Sequence, residues 1–119
     1  MDRPQEILDR IFAISPAVRY AALYRAGELI ARQRAGLQGI SSSESDRYEE
    51  LIVNPTLLTL VKQRGNLDCG GARFVIVRYG NFYQLVLDLA DGHASVCFEL
   101  AVNPLDYVGE VQAACEDRQ

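Results

Sequence analysis

Four residues that do chemistry in other proteins alternate along one short stretch: His93, Ser95, Cys97 and Glu99. Alternation puts them on one face if the stretch is a strand. The types suggest a nucleophile and its base, but the spacing opposes it. Positions four apart on a strand lie about 13 Å from each other, so His93 cannot directly activate Cys97. Ser95 sits about 6.6 Å along from His93 by the same rise. The chain has a single histidine, and any triad would need partners from other strands. The plainer expectation is a semi-polar sheet face, under a helix or in water.

A second candidate is Cys69-Gly70-Gly71. A phosphate loop needs glycines that open a helix, so that backbone amides face the anion. These glycines open a strand, and no lysine follows. A reactive Cys69 would need a base or a positive neighbour, and Arg73 is near in sequence. The alternative is a flexible connection into the strand, with the cysteine incidental. Glu49-Glu50 are adjacent carboxylates that point different ways on a helix; they read as first-turn acids favoured by the helix dipole. Asp88 and Asp91 lack the spacing of a calcium loop. Arg19 with Arg25, and Arg32 with Arg34, can merge into a basic patch for phosphate, an acidic partner or nucleic acid if their strand faces coincide. The alternative is a solvated face. Tyr20, Tyr24, Tyr79, Phe82 and Tyr83 form no RNA-binding signature and read as packing residues.

The elements that would position these residues follow from pattern. The 119 residues argue for one domain, 1–119, large enough to bury a core. A net charge of −4 supports solubility and disfavours nonspecific nucleic-acid binding. Three cysteines with no paired spacing point to a reducing, cytoplasmic setting rather than a disulfide framework. One histidine and no C-x-x-C speak against structural zinc. The first residues, MDRPQEILDR, do not resemble a signal peptide, and no apolar run approaches the roughly 20 residues of a membrane span.

Residues 4–14 predict a helix, with Pro4 in its first turn and Ile7, Leu8, Ile11 and Phe12 on one face. Residues 18–34 predict a hairpin turning at Ala26-Gly27. A polar loop spans 35–45. A second helix is expected over about 46–64, opened by a capping box of Asp46 and Glu49 and ended by Gly65. Tyr48, Leu51, Ile52, Leu58 and Val61 would form its apolar stripe, and Pro55 would kink or break it. Strands over 72–79, 82–89 and 93–100 form a meander around Gly80-Asn81 and Asp91-Gly92. A last helix covers 104–116. The expected class is α+β, in the order α-β-β-α-β-β-β-α: a five-stranded, mainly antiparallel sheet with helices on both faces.

The third strand, ARFVIVRY, is apolar on both sides, with Phe74 and Ile76 opposite Val75 and Val77. An apolar strand at a sheet edge invites a partner. Two such edges joined about a two-fold axis would continue the sheet.

With these elements, the chain resembles the roadblock/dynein light chain family over about Pro4 to Glu116. The hairpin YAALYRAGELIARQR is similar to that family's opening hairpin, and LVLDLADGHASVCFEL to its fourth and fifth strands. The resemblance implies a roadblock/profilin-like fold that works as a noncatalytic homo- or heterodimer. It implies an interface of Phe74, Val75, Ile76, Val77, Arg78 and Tyr79 with Leu51, Leu58 and Val61 of the second helix. It also implies a role as scaffold or regulator of a small Ras-like GTPase, with no cofactor. The Asn54-Pro55 interruption departs from the family pattern in that helix. Two other readings stand beside it: a small-ligand sensor of PAS or GAF type, and an enzyme using Cys69 or Cys97.

Overall fold

The computed structural model describes residues 3–37 and 43–116. The protein is α+β, built on a five-stranded sheet in which every neighbouring pair is antiparallel. The strands are β1 (Val18–Arg25), β2 (Glu28–Gln33), β3 (Phe74–Arg78), β4 (Tyr83–Leu89) and β5 (Gly92–Phe98), in the spatial order β2-β1-β5-β4-β3. The last strand therefore sits at the centre, and β3 is an edge.

Helix α1 (Pro4–Phe12) starts on Pro4 and buries Ile7, Leu8 and Ile11. Proline suits the first turn because the missing N–H has no partner there. Helix α4 (Val108–Cys115) follows a 3₁₀ turn at Pro104–Tyr107 and lies beside α1. Together they cover one face of the sheet. Ala21, Leu23, Leu85, Leu87, Ala94, Val96 and Phe98 meet Ile7, Leu8, Ile11 and Val111 there in the main apolar core.

The β1–β2 hairpin turns on Ala26 (φ 52°) and Gly27 (φ 83°), the two positive dihedrals that a tight hairpin turn requires. The β4–β5 turn is Ala90-Asp91 rather than Asp91-Gly92, and Gly92 already pairs with Leu89.

The second helical segment differs most from expectation. It is continuous from Ser43 to Asp68: α2 (Ser43–Tyr48), a π-helical turn at Glu49–Val53, and α3 (Asn54–Asp68). Pro55 neither breaks nor ends it. Proline in α geometry would press its ring on the carbonyl four residues back. The preceding turn is instead widened by one residue, and the Asn54 N–H reaches the Glu49 carbonyl. Asp46 lies inside the helix, so it does not open a capping box with Glu49. Gly65 is also internal. The stop comes at Gly70 (φ 77°) and Gly71 (φ 87°), whose left-handed backbone turns the chain into β3. Part of the polar loop expected over 35–45 lies outside the described residues.

The apolar stripe expected on this helix is also corrected. Its inward positions are Glu50, Asn54, Leu58 and Gly65. Tyr48, Ile52, Leu60 and Leu67 face outward. Among the described residues, no helix is long and apolar enough to cross a membrane.

Candidate functional site

The register sorts the second sheet face into three rows. One runs Gln33, Tyr20, Cys97, Gln84, Val77; the next Ala31, Ala22, Ser95, Val86, Val75; the third Leu29, Tyr24, His93, Asp88. The middle row is made of small side chains. The helix 43–68 covers this face, and Lys62 Nζ ties it to Asp88 Oδ1 at 3.1 Å.

Glu50 descends from the π turn and is completely buried. Its Oε2 accepts the Tyr20 hydroxyl at 3.0 Å, and its Oε1 accepts Asn54 Nδ2 at 3.0 Å. His93 Nε2, on the central strand, lies 2.8 Å from the same Oε1. Three polar groups thus converge on one carboxyl group, which gives the buried acid hydrogen-bond partners on both oxygens. The widened turn sets Glu50 and Asn54 on the same inward side. Burial, and then Glu50 itself, push the Tyr20 phenol well above its ordinary value.

Beside this cluster is a cavity of 160 Å³, roofed by Ser45, Asp46 and Glu49 and floored by Tyr20, Gln84 and Cys97. Glu49 Oε1 accepts the Tyr79 hydroxyl at 2.6 Å. Its carboxyl is held above its usual range by burial first; the Tyr79 bond pulls the other way, and Glu50 and Asp46 add to the rise. Arg19 reaches the cavity where the β1–β5 register slips between Val18 and Tyr20. Its Nη1 is 3.2 Å from Glu99 Oε2, and its guanidinium lies 5.5 Å from the Phe82 ring centre. Gln84 is 2% exposed; its Nε2 donates to Ser95 Oγ at 2.7 Å, and its Oε1 has no hydrogen-bond partner.

The expected site residues fall in different places. His93, Ser95 and Cys97 do share a face, but His93 meets Glu50 and Ser95 meets Gln84. Cys97 is buried, and burial followed by Glu50 and Glu49 drives its thiol pKa well up, the opposite of an activated nucleophile. Glu99 lies past β5 on Arg19. Cys69 is exposed, with Sγ 3.3 Å from Arg64 Nη1 and from Asp68 Oδ1.

The arginines do not merge into a basic patch. Arg19 pairs with Glu99, Arg25 with Asp91 and Arg32 with Asp9, while Arg34 donates to the Ser15 carbonyl. Glu49 and Glu50 are not first-turn acids; they lie mid-helix and face the sheet. Among the described residues, no group of three or more His, Cys, Asp or Glu could hold a metal ion.

The other region of interest is the β3 edge. Phe74, Val75, Ile76 and Val77 are half-buried, and Arg78 is exposed. The Asp88 N–H bonds the Arg73 carbonyl and the Tyr79 N–H bonds the Phe82 carbonyl, so odd-numbered residues pair inward with β4. By antiparallel alternation, Phe74, Ile76 and Arg78 turn their N–H and C=O groups outward. Tyr79 is held by Glu49. Leu51 and Val61 are half-buried on the helix, whereas Leu58 is 5% exposed and packs inward, leaving almost no surface to offer.

Sequence periodicity missed Glu50, Asn54 and the joining of Tyr20 and His93 through Glu50. The available signal was the alternation that put His93 with Ser95 and Cys97, and Tyr20 with Tyr24. No protein-family model matches the chain, and no curated protein matches it.

Proposed function

We propose that this chain is a noncatalytic interaction module that dimerises through β3, in the manner of roadblock-like domains with their profilin-like fold. The observation that carries the reading is an apolar edge strand whose outward backbone groups have no neighbouring strand among the described residues. Such an edge is an association hazard unless a second strand covers it. The helix next to it adds Ile52, Leu60 and Leu67, which are exposed. A homodimer would extend the sheet to ten strands about a two-fold axis. In this reading the dimer serves as scaffold or regulator for a small Ras-like GTPase in the cytoplasm.

Light scattering on a sizing column over a dilution series tests the dimer. We expect twice the chain mass at micromolar concentration. Ile76→Pro, which removes an outward N–H, and Leu60→Glu, which alters an exposed helix position, should each shift the protein toward single-chain mass. A chain that is monomeric throughout the series would remove the reading. For the GTPase role, the readout is nucleotide hydrolysis or release by a co-expressed Ras-like GTPase, with and without the dimer.

A second reading, a small-ligand sensor of PAS or GAF type, is favoured by the cavity beside Gln84. A pocket with a few convergent polar groups and aromatic walls is the usual form of a small-molecule site.

A further inference from the structure

A groove of 420 Å³ lies between α3 and the sheet, beside the β4–β5 turn. Its volume is that of a small-molecule site. Pro55, Leu58 and Leu89 give it apolar surface, and the Tyr24 ring, also in its lining, is 5.8 Å from the His93 ring. Apart from His93, its charged side chains are Lys62 and Asp88, which neutralise each other at 3.1 Å. An ion entering the groove would have to compete with that pair, whereas an uncharged molecule would not.

His93 lines this groove and is 1% exposed. Among the described residues its ring makes one hydrogen bond, at Nε2, 2.8 Å from Glu50 Oε1. Nδ1 has no partner. The fully enclosed side-chain atoms without a partner are Asn54 Oδ1 and Gln84 Oε1. Nδ1 is not one of them, so it holds part of the small surface left to His93, and the groove is the open space that His93 borders. Glu50 already accepts the Tyr20 hydroxyl and Asn54 Nδ2. As a carboxylate it offers only acceptors, so the ring proton belongs on Nε2 and Nδ1 is left as a bare acceptor. A nearly buried acceptor without a donor carries a desolvation cost that a ligand O–H or N–H relieves.

We propose that this groove binds a small uncharged molecule with an apolar body and an O–H or N–H group that donates to His93 Nδ1. The body lies against Leu58 and Tyr24. Glu50 acts here as a positioning residue, because its hydrogen bond fixes the proton on Nε2 and so turns the free nitrogen into the acceptor. No β3 residue lines the groove, and it shares no lining residue with the cavity beside Gln84. Its failure would therefore leave the dimer and the sensor readings where they stand.

The test reads the ring nitrogens of the nitrogen-15-labelled full chain at about pH 8, above the ordinary histidine range. His93 is the chain's one histidine, so its two ring signals need no assignment. Without a probe, Nε2 should carry the proton and Nδ1 should be bare. Phenol should then move Nδ1 saturably and more than Nε2. Anisole, the same ring with its hydroxyl methylated, should bind at least about fivefold more weakly, as for loss of one hydrogen bond to a buried acceptor. Thr59 is exposed on α3 and lines the groove, so Thr59→Trp fills the space without touching the Glu50 network and should abolish the phenol response. A proton on Nδ1 in the free protein overturns the inference. Equal binding of phenol and anisole, or a phenol response that Thr59→Trp leaves unchanged, also overturns it, and so does no response to phenol.

Discussion

Toward α1 and α4 the sheet presents Ala21, Leu23, Leu85, Leu87, Ala94 and Val96. Toward the helix 43–68 it presents Tyr20, Gln84, His93, Ser95 and Cys97. The first face is held by burial of apolar surface, which is non-directional and tolerates small shifts. The second has a small apolar cluster of Tyr20, Ala22 and Cys97 and depends on a hydrogen-bonded network around Glu50. Directional bonds fix where the helix sits over the sheet. That placement forms the cavity and sets the helix face beside the β3 edge.

The largest expected effect tests this contrast. Glu50→Ala leaves the Tyr20 hydroxyl, Asn54 Nδ2 and His93 facing a void, and should cost about 3–5 kcal/mol, as when one member of a buried pair is removed. Leu8→Ala on the apolar face should cost about 2–5 kcal/mol from lost burial and the cavity left behind. The two faces separate in the repair. Replacing the polar set together by apolar residues of similar volume (Glu50→Leu with Tyr20→Phe, His93→Leu and Asn54→Leu) should recover most of the loss, because buried polar clusters exchange for apolar ones at near-neutral cost. Urea unfolding of the single and combined variants checks this. If the combined variant remains as unstable as Glu50→Ala, burial alone cannot seat the helix.

A smaller effect separates the faces by pH. Tyr20→Phe should cost about 1–3 kcal/mol, because Glu50 Oε2 loses its donor in a buried site. In the folded protein Tyr20 is raised above its ordinary value near 10 by burial first, and Cys97 is raised above 9.0 for the same reason. On the opposite face, burial pushes Cys115 up to about 11 from 9.0. An acid raised on folding keeps its proton while the unfolded chain loses it. Stability is therefore full below about pH 9 and falls as pH rises, by up to about 1.4 kcal/mol per pH unit for each such group. Cys115→Ala should flatten the decline mainly between pH 9 and 11. Tyr20→Phe should flatten it above pH 10. Urea midpoints across pH 7–12 measure both slopes.

The same contrast explains what could be read from sequence. The first helix was legible because Ile7, Leu8 and Ile11 carry an apolar period. The hairpin and meander were legible because turn residues separate β-favouring runs. The inner stripe of the second helix was not. Its members are an acid, an amide and a glycine as well as Leu58, while Tyr48, Ile52, Leu60 and Leu67 face outward. A hydrophobic period points such a helix the wrong way, and the π turn shifts its phase by a residue. The Tyr20–Glu50–His93 cluster joins three distant parts of the chain. It becomes visible only once β5 is known to lie beside β1. The arginines looked like a patch because their acidic partners come from α1, the β4–β5 turn and the end of β5.

The smallest effect concerns how closely the helix is seated on the chain leading into β3. Gly65 lies inside α3, where alanine normally stabilises a helix by about 0.8–1 kcal/mol. A Cβ at this position would lie 2.7 Å from both the carbonyl carbon and the oxygen of Gly71. Those are backbone atoms, and the Gly65 carbonyl accepts the N–H groups of Cys69 and Gly71 at 2.9 and 3.0 Å. The added methyl must therefore move the turn that leads into β3, an overpacking cost of about 1–3 kcal/mol. The two contributions oppose each other, and the steric one is larger. Gly65→Ala should leave the protein less stable by about 1 kcal/mol, and faster amide exchange at Cys69 and Gly71 should accompany the loss. Greater stability with unchanged exchange would mean that the turn yields freely, and that the helix is held to the sheet by the Glu50 network without help from the turn into β3.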